Sequence, residues 1–352
     1  MELKANPQTL TWAKESCNSI IEAVGQVFVG NRLLLRKVLA AGLANGHVLF
    51  EDNPGLGKTL LAKAFARAIG CGYTRVQFTP DLLPSDILGT KVWRQRDGSF
   101  DLIKGPIFTN VLLADEVNRA PPKTQSALLE AMEERQVTIE GQTHLLGPFF
   151  LVLATQNPIE QDGTYPLPEA QVDRFMLKLS TGYPATLEQE SQILSRRIQW
   201  QQDDPTRSLN PALEPEQFLR LQALAEQAIY VDPSILDYIS QLVRATRGHP
   251  QVEVGSSPRG GLALLKASRA MALVHGRDFV VPDDVKMIAV DALAHRLILK
   301  TEEVLEGAHE RDVLQEVVEQ VPIPTELKRR PDGSTGSPRR EPLPPHPEPV
   351  EG

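Results

Sequence analysis

The stretch LFEDNPGLGKTLLAK, residues 49–63, decides the fold of this chain. It continues the apolar run HVLFE (47–51), and Gly57, Lys58 and Thr59 complete most of the pattern G-x-x-x-x-G-K-[ST]. Between a buried strand and a helix, this pattern forms a loop whose backbone N–H groups bind phosphate oxygens. The first glycine of the pattern is replaced by Asp52, whose carboxylate must face away from a bound anion.

The composition is that of a soluble globular protein large enough for two domains. Of 352 residues, 41% are hydrophobic, and 37 Lys and Arg against 45 Asp and Glu give a net charge of −8. This acidic balance argues against a broad nucleic-acid-binding surface. The two cysteines form no C-x-x-C pair, and the chain shows no apolar run long enough for a signal peptide or a membrane helix. We therefore expect no membrane insertion and a cytoplasmic location.

Five short apolar runs predict the strands of one sheet. They lack strict alternation of polar and apolar residues, which is typical of strands buried on both faces. Helical patterns lie between them, at 58–69 and 121–135, and this alternation predicts an α/β fold with a mainly parallel sheet. The five runs are HVLFE (47–51), TRVQFT (74–79), VLLAD (111–115), FFLVLATQN (149–157) and FMLKLS (175–180).

Two insertions and a change of pattern organise the rest of the chain. Residues 81–108 and 136–148 predict hairpins that turn at Asp97-Gly98 and Glu140-Gly141. After residue 184 the pattern becomes helical, so we predict a core domain over 1–184, a helical domain over 185–322 and a disordered proline-rich tail over 323–352. Helix starts are predicted at Thr186, Asp232, Ser257 and Pro282.

The loop itself predicts an ATP site with Mg²⁺. Gly55 and Gly57 let backbone N–H groups approach the phosphates, Lys58 reaches the β- and γ-phosphates, and the Thr59 hydroxyl ligates the metal. The Asp52 carboxylate either caps the Gly55 N–H or points outward, and we expect it to be dispensable for ATP binding. The residues expected to contact the nucleotide here are Asn53, Pro54, Gly55, Leu56, Gly57, Lys58, Thr59 and Leu60.

The run VLLADE places two acids at the end of a predicted strand, about sixty residues after the loop. In an ATPase, Asp115 would hold Mg²⁺ through water, and Glu116 would orient and deprotonate the attacking water. The alternative is a strand that ends in two solvated acids.

Three more polar residues occupy positions that suggest chemistry. Asn157 follows the fourth predicted strand and could hold the hydrolytic water, or it is simply a turn residue before proline. Arg174 precedes the last strand and reaches either a phosphate or the last carbonyls of a helix. Arg259 lies in the first turn of a helix, where a cation opposes the helix dipole, and this unfavourable choice suggests that it reaches a phosphate.

Together these stretches resemble the MoxR family of AAA+ ATPases over residues of about 25–320. The resemblance is strongest in VQFTPDLLPSDILGT (76–90), LLADEVNRAPPKTQSALLEAMEERQVTIEG (112–141) and ATQNPIEQDGTYPLPEAQVDRFMLKLSTGYP (154–184). It implies a five-stranded parallel AAA+ core with a helix-2 insert, a pre-sensor hairpin and a small all-helical lid, and active rings that are typically hexamers.

The resemblance also assigns roles to single residues. Lys58 and Thr59 match the Walker A motif, and Asp115 and Glu116 match Walker B. Asn157 matches sensor 1, Arg174 the arginine finger and Arg259 sensor 2, acting on either the same or a neighbouring subunit. Gly30, in FVGN, matches a segment near the adenine.

Three functions follow from these patterns. The family resemblance favours a chaperone-like ATPase that matures or activates a protein complex, with metal-cofactor insertion and a von Willebrand factor A domain partner as family precedents. A helicase-like motor is the first alternative, and Lys91, Arg94 and Arg96 in the first insert keep it open. A nucleotide-gated scaffold with little turnover is the second, and Glu116, Asn157 and Arg174 argue against it.

Overall fold

The computed structural model describes residues 6–96, 98–157 and 164–325. Asp97, in the first predicted hairpin turn, lies outside the described residues, and so does the predicted tail from residue 326 onward. In the described part of the chain, no helix has the length and apolar character needed to cross a membrane.

The five predicted strand runs form one parallel sheet. From edge to edge the order is β2-β5-β8-β1-β9, which confirms the predicted α/β core. Helices cover both faces, so β5 and β8 are almost wholly buried, which explains their continuous apolar sequences. The strands of the described residues are β1 (Val48–Glu51), β2 (Tyr73–Gln77), β3 (Gly89–Arg94), β4 (Ser99–Lys104), β5 (Val111–Asp115), β6 (Gln136–Ile139), β7 (Gln142–Leu145), β8 (Leu151–Gln156), β9 (Leu177–Leu179), β10 (Val252–Val254) and β11 (Ile298–Leu299).

Several helices begin where the local sequence supplies a side-chain cap. Side-chain oxygens of Thr186, Asp232 and Ser257 accept bonds from backbone N–H groups in the first turns of α7, α9 and α10, as predicted. The bounds are α1 (Pro7–Val27), α2 (Arg32–Leu43), α3 (Lys58–Ala68), α4 (Pro84–Leu88), α5 (Pro122–Glu134), α6 (Glu169–Val172), α7 (Leu187–Trp200), α8 (Pro215–Gln227), α9 (Pro233–Gly248), α10 (Pro258–Val274), α11 (Pro282–Leu293), α12 (Thr301–Leu305) and α13 (Glu310–Gln320).

Both insertions contain antiparallel hairpins. Strands β3 and β4 pair from Gly89 with Lys104 to Arg94 with Ser99. Strands β6 and β7 turn at Glu140 and Gly141, whose φ angles of 47° and 78° are the left-handed values that a tight two-residue hairpin turn requires. The second hairpin turn was therefore placed correctly from the sequence.

The lid is helical, with one correction of detail. Strands β10 and β11 form a short antiparallel pair, so the lid is not entirely helical. This strand pair was not predicted from the sequence, because β11 has only two residues and closely follows the helical turn after α11. One continuous cluster of buried apolar side chains joins α1 and α2 to the lid helices α8 and α10, so the lid packs directly on the N-terminal helices.

Candidate functional site

The order of the sheet brings three chain segments to one edge. Strand β8 lies between β5 and β1, and all three run parallel. The residues that follow their carboxyl ends therefore lie side by side: Glu116 after β5, Asn157 after β8 and Asp52 after β1. In open parallel sheets this edge is where ligands bind.

The loop after β1 has the conformation of a phosphate-binding loop. Gly55 and Gly57 have φ angles of 85° and 77°, which residues with a Cβ rarely adopt. Gly57 is also the N-cap of α3, so the unpaired N–H groups of its first turn point toward the loop. Lys58 Nζ lies 3.0 Å from Asp52 O and 2.9 Å from Asn53 O, and Thr59 is exposed at the start of the helix.

The electrostatics of Lys58 show which acids surround it. Burial lowers the pKa of its ammonium group, and the carboxylates of Asp52, Asp115 and Glu116 oppose this shift. Acids from the phosphate loop and from the run VLLADE therefore act on the same ammonium group. A bound anion beside Lys58 would raise the pKa of Lys58 in the same way as these acids do.

The Asp52 carboxylate does not cap the Gly55 N–H but faces away from the loop, toward the segment after β9. Its buried carboxylate accepts hydrogen bonds from the Ser180 hydroxyl, from Thr181 N at 2.7 Å and from Thr181 Oγ1 at 2.9 Å. The neighbouring Asn53 Nδ2 donates to the Tyr183 hydroxyl at 3.2 Å. The acid thus ties the start of the loop to the segment between β9 and the lid.

Asp115 is held on both carboxylate oxygens. Thr155 Oγ1, on β8, donates to Oδ1 at 2.6 Å, and Arg75 Nη2, on β2, donates to Oδ2 at 2.7 Å. Its side chain is only 14% exposed. Asp115 therefore does not simply end a strand in solvent, which was the alternative left by the sequence.

Glu116 is fixed by backbone and side chain together. Its φ and ψ of 57° and 50° are left-handed, an uncommon conformation for a residue other than glycine. Its N–H donates to Thr155 Oγ1 at 2.8 Å. Oε2 accepts from Gln77 Nε2 at 2.7 Å and forms an ion pair with Arg119 Nε at 3.0 Å.

Asn157 and Gly30 lie near the phosphate loop in different ways. Asn157 directly follows β8, and its carbonyl is 3.5 Å from Asn118 Nδ2. A Cβ on Gly30 would lie 2.3 Å from Cε1 of Phe28, and one on Gly57 would lie 3.3 Å from Cε2 of the same ring. The Phe28 ring therefore separates the Gly30 segment from the start of α3.

The two candidate arginines form a second group. Glu133, near the end of α5, forms ion pairs with Arg174 through Oε2 and with Arg259 Nη2 through Oε1, the latter at 2.8 Å. Arg174 Nη1 also donates to Leu129 O of α5 at 3.2 Å, and not to the last carbonyls of its own short helix. The core arginine and the lid arginine thus meet at one carboxylate.

Sequence reasoning missed five residues that support these groups. Except for Thr155, which precedes Asn157 by two residues, they lie far along the chain from the residues they support. Only Arg75 and Gln77 gave a signal, because they are alternate polar residues within an otherwise apolar run. The five are Arg75, Gln77, Glu133, Thr155 and Arg296.

The residues at the sheet edge fit a magnesium nucleotide. A Cβ on Gly55 would meet no atom within 4 Å, so the space above the loop is open. Thr59 and Asp115 offer the hydroxyl and carboxylate oxygens that Mg²⁺ prefers. Lys58 and the N-terminus of α3 supply positive potential for phosphate oxygens.

These features define a P-loop nucleotide-binding core followed by a helical lid, the class of the AAA ATPases. The model of the ATPase family associated with various cellular activities (AAA) matches residues 47–177, and the AAA lid domain model matches residues 244–317. The chain belongs to the MoxR family within this class.

Three relatives illustrate the membership. The uncharacterized protein YeaC of Bacillus subtilis is 47% identical over 87% of this chain and 94% of its own length. Chaperone MoxR1 of Mycobacterium tuberculosis is 43% identical over 86% of this chain and 80% of its own length. The crystal structure of a proposed ATPase from Cytophaga hutchinsonii superposes with a TM-score of 0.82 at 39% identity, covering 90% of this chain and 97% of that one.

Proposed function

We propose that this protein is a Mg²⁺-dependent ATPase that works as a homo-oligomeric ring, with a hexamer favoured, and remodels a client protein. The observation that carries the proposal is the convergence of Lys58, Asp115 and Glu116 at one edge of the sheet. A phosphate-binding lysine, an acid suited to a metal and an acid suited to a water molecule are the parts that ATP hydrolysis needs.

Each group has a distinct task in this proposal. Lys58 and the loop N–H groups, from Asn53 to Leu60, bind the phosphates. Mg²⁺, held by Thr59 and Asp115, would neutralise phosphate charge. Glu116 takes the proton of the attacking water, and its restraint by Gln77, Arg119 and Thr155 fixes its direction. Asn157, beside it on the next strand, positions the same water.

Arg174 and Arg259 serve a neighbouring subunit in this proposal. Because both guanidinium groups meet at Glu133, they reach the same face of the protein. If Arg174 reaches the γ-phosphate of the next subunit, Arg259 therefore acts across the same interface. An arginine that enters a phosphoryl-transfer site in trans contributes about 10³-fold or more to the rate.

Mixed rings test this arrangement. Arg174→Ala and Glu116→Gln should each bind a fluorescent ATP analogue and hydrolyse ATP poorly. Where an Arg174→Ala subunit has a Glu116→Gln neighbour, an intact Glu116 faces an intact Arg174, so one site is complete. Mixed rings should regain several-fold activity over either parent, with co-assembly checked by two affinity tags. Co-assembled rings that stay as inactive as the parents would refute the assignment of Arg174 in trans.

The client is proposed to be a protein and not a nucleic acid. The first hairpin exposes an aromatic pair, Trp93 and Phe100, which are 50% and 62% exposed with ring centroids 4.9 Å apart. Exposed aromatic side chains suit protein contacts, and the net charge of −8 disfavours a polyanion. Maturation of a metal-containing complex and a von Willebrand factor A domain partner remain expectations from the family. A cytoplasmic location remains an expectation from the sequence.

Nucleic-acid stimulation distinguishes the two kinds of client. The ATPase rate is measured with and without single-stranded and duplex DNA at low salt, where phosphate contacts are strongest. We expect less than twofold stimulation. Several-fold stimulation that fades with salt would support the motor instead, and turnover absent from every assembled wild-type ring would support the scaffold.

A further inference from the structure

A buried arginine of the lid holds the chain on both sides of Arg174. Arg296 lies in the short turn after α11, and its side chain is 3% exposed. Before Arg174, its Nε donates to Asp173 Oδ1 at 2.6 Å and its Nη2 to Asp173 O at 2.9 Å. After Arg174, Nη2 donates to Phe175 O at 2.8 Å. The two residues that flank Arg174 are therefore fixed by one guanidinium group.

Neighbouring groups strengthen this attachment. Arg296 Nη1 donates to Ala292 O of α11 and lies 3.4 Å from Met176 O, directly before β9. Nε2 of the adjacent His295 lies 3.1 Å from Phe175 O. Burial lowers the pKa of His295 well below its usual value, so the imidazole is neutral and the positive charge at this contact belongs to Arg296.

Such an attachment is more than packing requires. A buried guanidinium pays a large desolvation cost, which several well-aligned acceptors must offset. Apolar side chains join α11 to the core at no such cost. The arginine also fixes geometry. Its planar guanidinium group holds the carbonyls of Asp173 and Phe175 and the Asp173 carboxylate in set positions relative to the lid.

We propose that Arg296 is a positioning residue for Arg174, so that the arginine finger of each subunit moves with its own lid. This inference rests on the proposed role of Arg174 at the neighbouring subunit. The guanidinium end of the finger also lies beside the lid, because Glu133 of α5 pairs with both Arg174 and the lid residue Arg259. A change of lid angle in one subunit would thus alter hydrolysis in the next.

Subunit mixing separates positioning from folding. Arg296→Gln should bind the fluorescent ATP analogue within about twofold of wild type, while its own rings lose at least tenfold in ATPase rate. Rings that mix Arg296→Gln with Glu116→Gln subunits should regain several-fold activity. The Arg296→Gln subunit keeps an intact Glu116, and its Glu116→Gln neighbour supplies a well-placed Arg174. Mixed with Arg174→Ala, it should regain nothing, since neither subunit then offers a usable finger.

A second lid arginine provides the matched control. Arg277 pairs with Asp284, which is 1% exposed, through bonds of 2.5 and 2.6 Å, in a part of the lid away from Asp173 and Phe175. Arg277→Gln should lower the melting temperature, yet its folded rings should keep wild-type turnover. An equal loss of turnover in both variants would show a general effect of lid damage and overturn the proposal.

Two further outcomes keep the test decisive. If Arg296→Gln does not fold, Asp173→Asn replaces it; this variant removes the charge pair but keeps the backbone bonds, and it should show the same mixing pattern with a smaller loss. If Arg174→Ala and Glu116→Gln complement each other while the folded Arg296 or Asp173 variant does not, the inference fails alone. If none of the pairs complement, the proposed trans site fails.

Discussion

The carboxylate of Asp52 accepts a 2.7 Å hydrogen bond from the backbone N–H of Thr181, 129 residues further along the chain. Two hydroxyl donors, of Ser180 and Thr181, complete its partners. The position that usually holds a glycine in the phosphate loop therefore carries a structural link to the segment entering the lid. The expectation that this acid faces away from the loop thus gains a physical reason.

Asp52→Gly should cost stability rather than ATP binding. It leaves the Thr181 N–H and two hydroxyls without their acceptor, which costs about 1–3 kcal/mol. The melting temperature should fall by several degrees, while affinity for the ATP analogue stays within a few-fold of wild type. Lys58→Ala should abolish that binding with little effect on stability.

Asp52→Asn is the matched control, because its side-chain oxygen still accepts from Thr181 N. It should recover at least half of the lost stability. Loss of nucleotide binding in Asp52→Gly as complete as in Lys58→Ala would show that the acid belongs to the binding loop itself.

The Gln77–Glu116 bond predicts an effect on turnover alone. Gln77→Leu removes the amide that fixes Glu116 Oε2, so the base is less well directed at the attacking water. We expect kcat to fall about tenfold, a part of the 10²–10⁴-fold that a general base contributes. KM for ATP should change less than twofold, because Gln77 lies on β2, away from the phosphate loop.

Thr74→Val is the control for Gln77→Leu, because it tests whether any substitution on β2 lowers kcat. Thr74 is on the opposite face of β2 from Arg75 and Gln77, because side chains alternate along a strand. Its kinetics should match those of wild type. A rise in kcat for Gln77→Leu would show instead that the bond holds Glu116 in an unproductive direction.

Buried His47 predicts a loss of stability in mild acid. Its Nε2 donates to Met132 O at 3.1 Å, and its Nδ1 accepts from Val152 N at 3.0 Å, so the neutral ring joins β1 to α5 and β8. Burial, aided by the nearby Arg135 charge, lowers its pKa from 6.5 to about 3. Between these values the unfolded chain binds the proton and the folded protein does not.

The His47 contribution is therefore complete above pH 6.5 and is lost as the pH falls toward 3, at up to about 1.4 kcal/mol per pH unit. Urea unfolding at several pH values measures it. His47→Gln should be less stable at pH 7.5 but should lose less on acidification than wild type. Parallel curves for His47→Gln and wild type would contradict this account.

Local chemistry determined much of the fold from the sequence. The run VLLAD became β5 with the predicted bounds, because four consecutive buried apolar residues end at a pair of acids. The caps at Thr186, Asp232 and Ser257 were readable because a capping side chain bonds to backbone only two or three residues away. The phosphate loop could be predicted for the same reason, because its glycines, lysine and threonine lie close together in the sequence.

The tertiary structure alone decided which distant residues meet. No local pattern relates Asp52 to Thr181, Glu133 to both Arg174 and Arg259, or Arg296 to the chain on either side of Arg174. These contacts depend on the strand order and on the packing of the lid against α1 and α2. The sequence by itself determined the elements and the phosphate loop, because their causes are short-range hydrogen bonds and periodic burial. The partners of each buried charge followed only from the folded arrangement, because the free energy of a buried ion pair depends on atoms that are far apart along the chain.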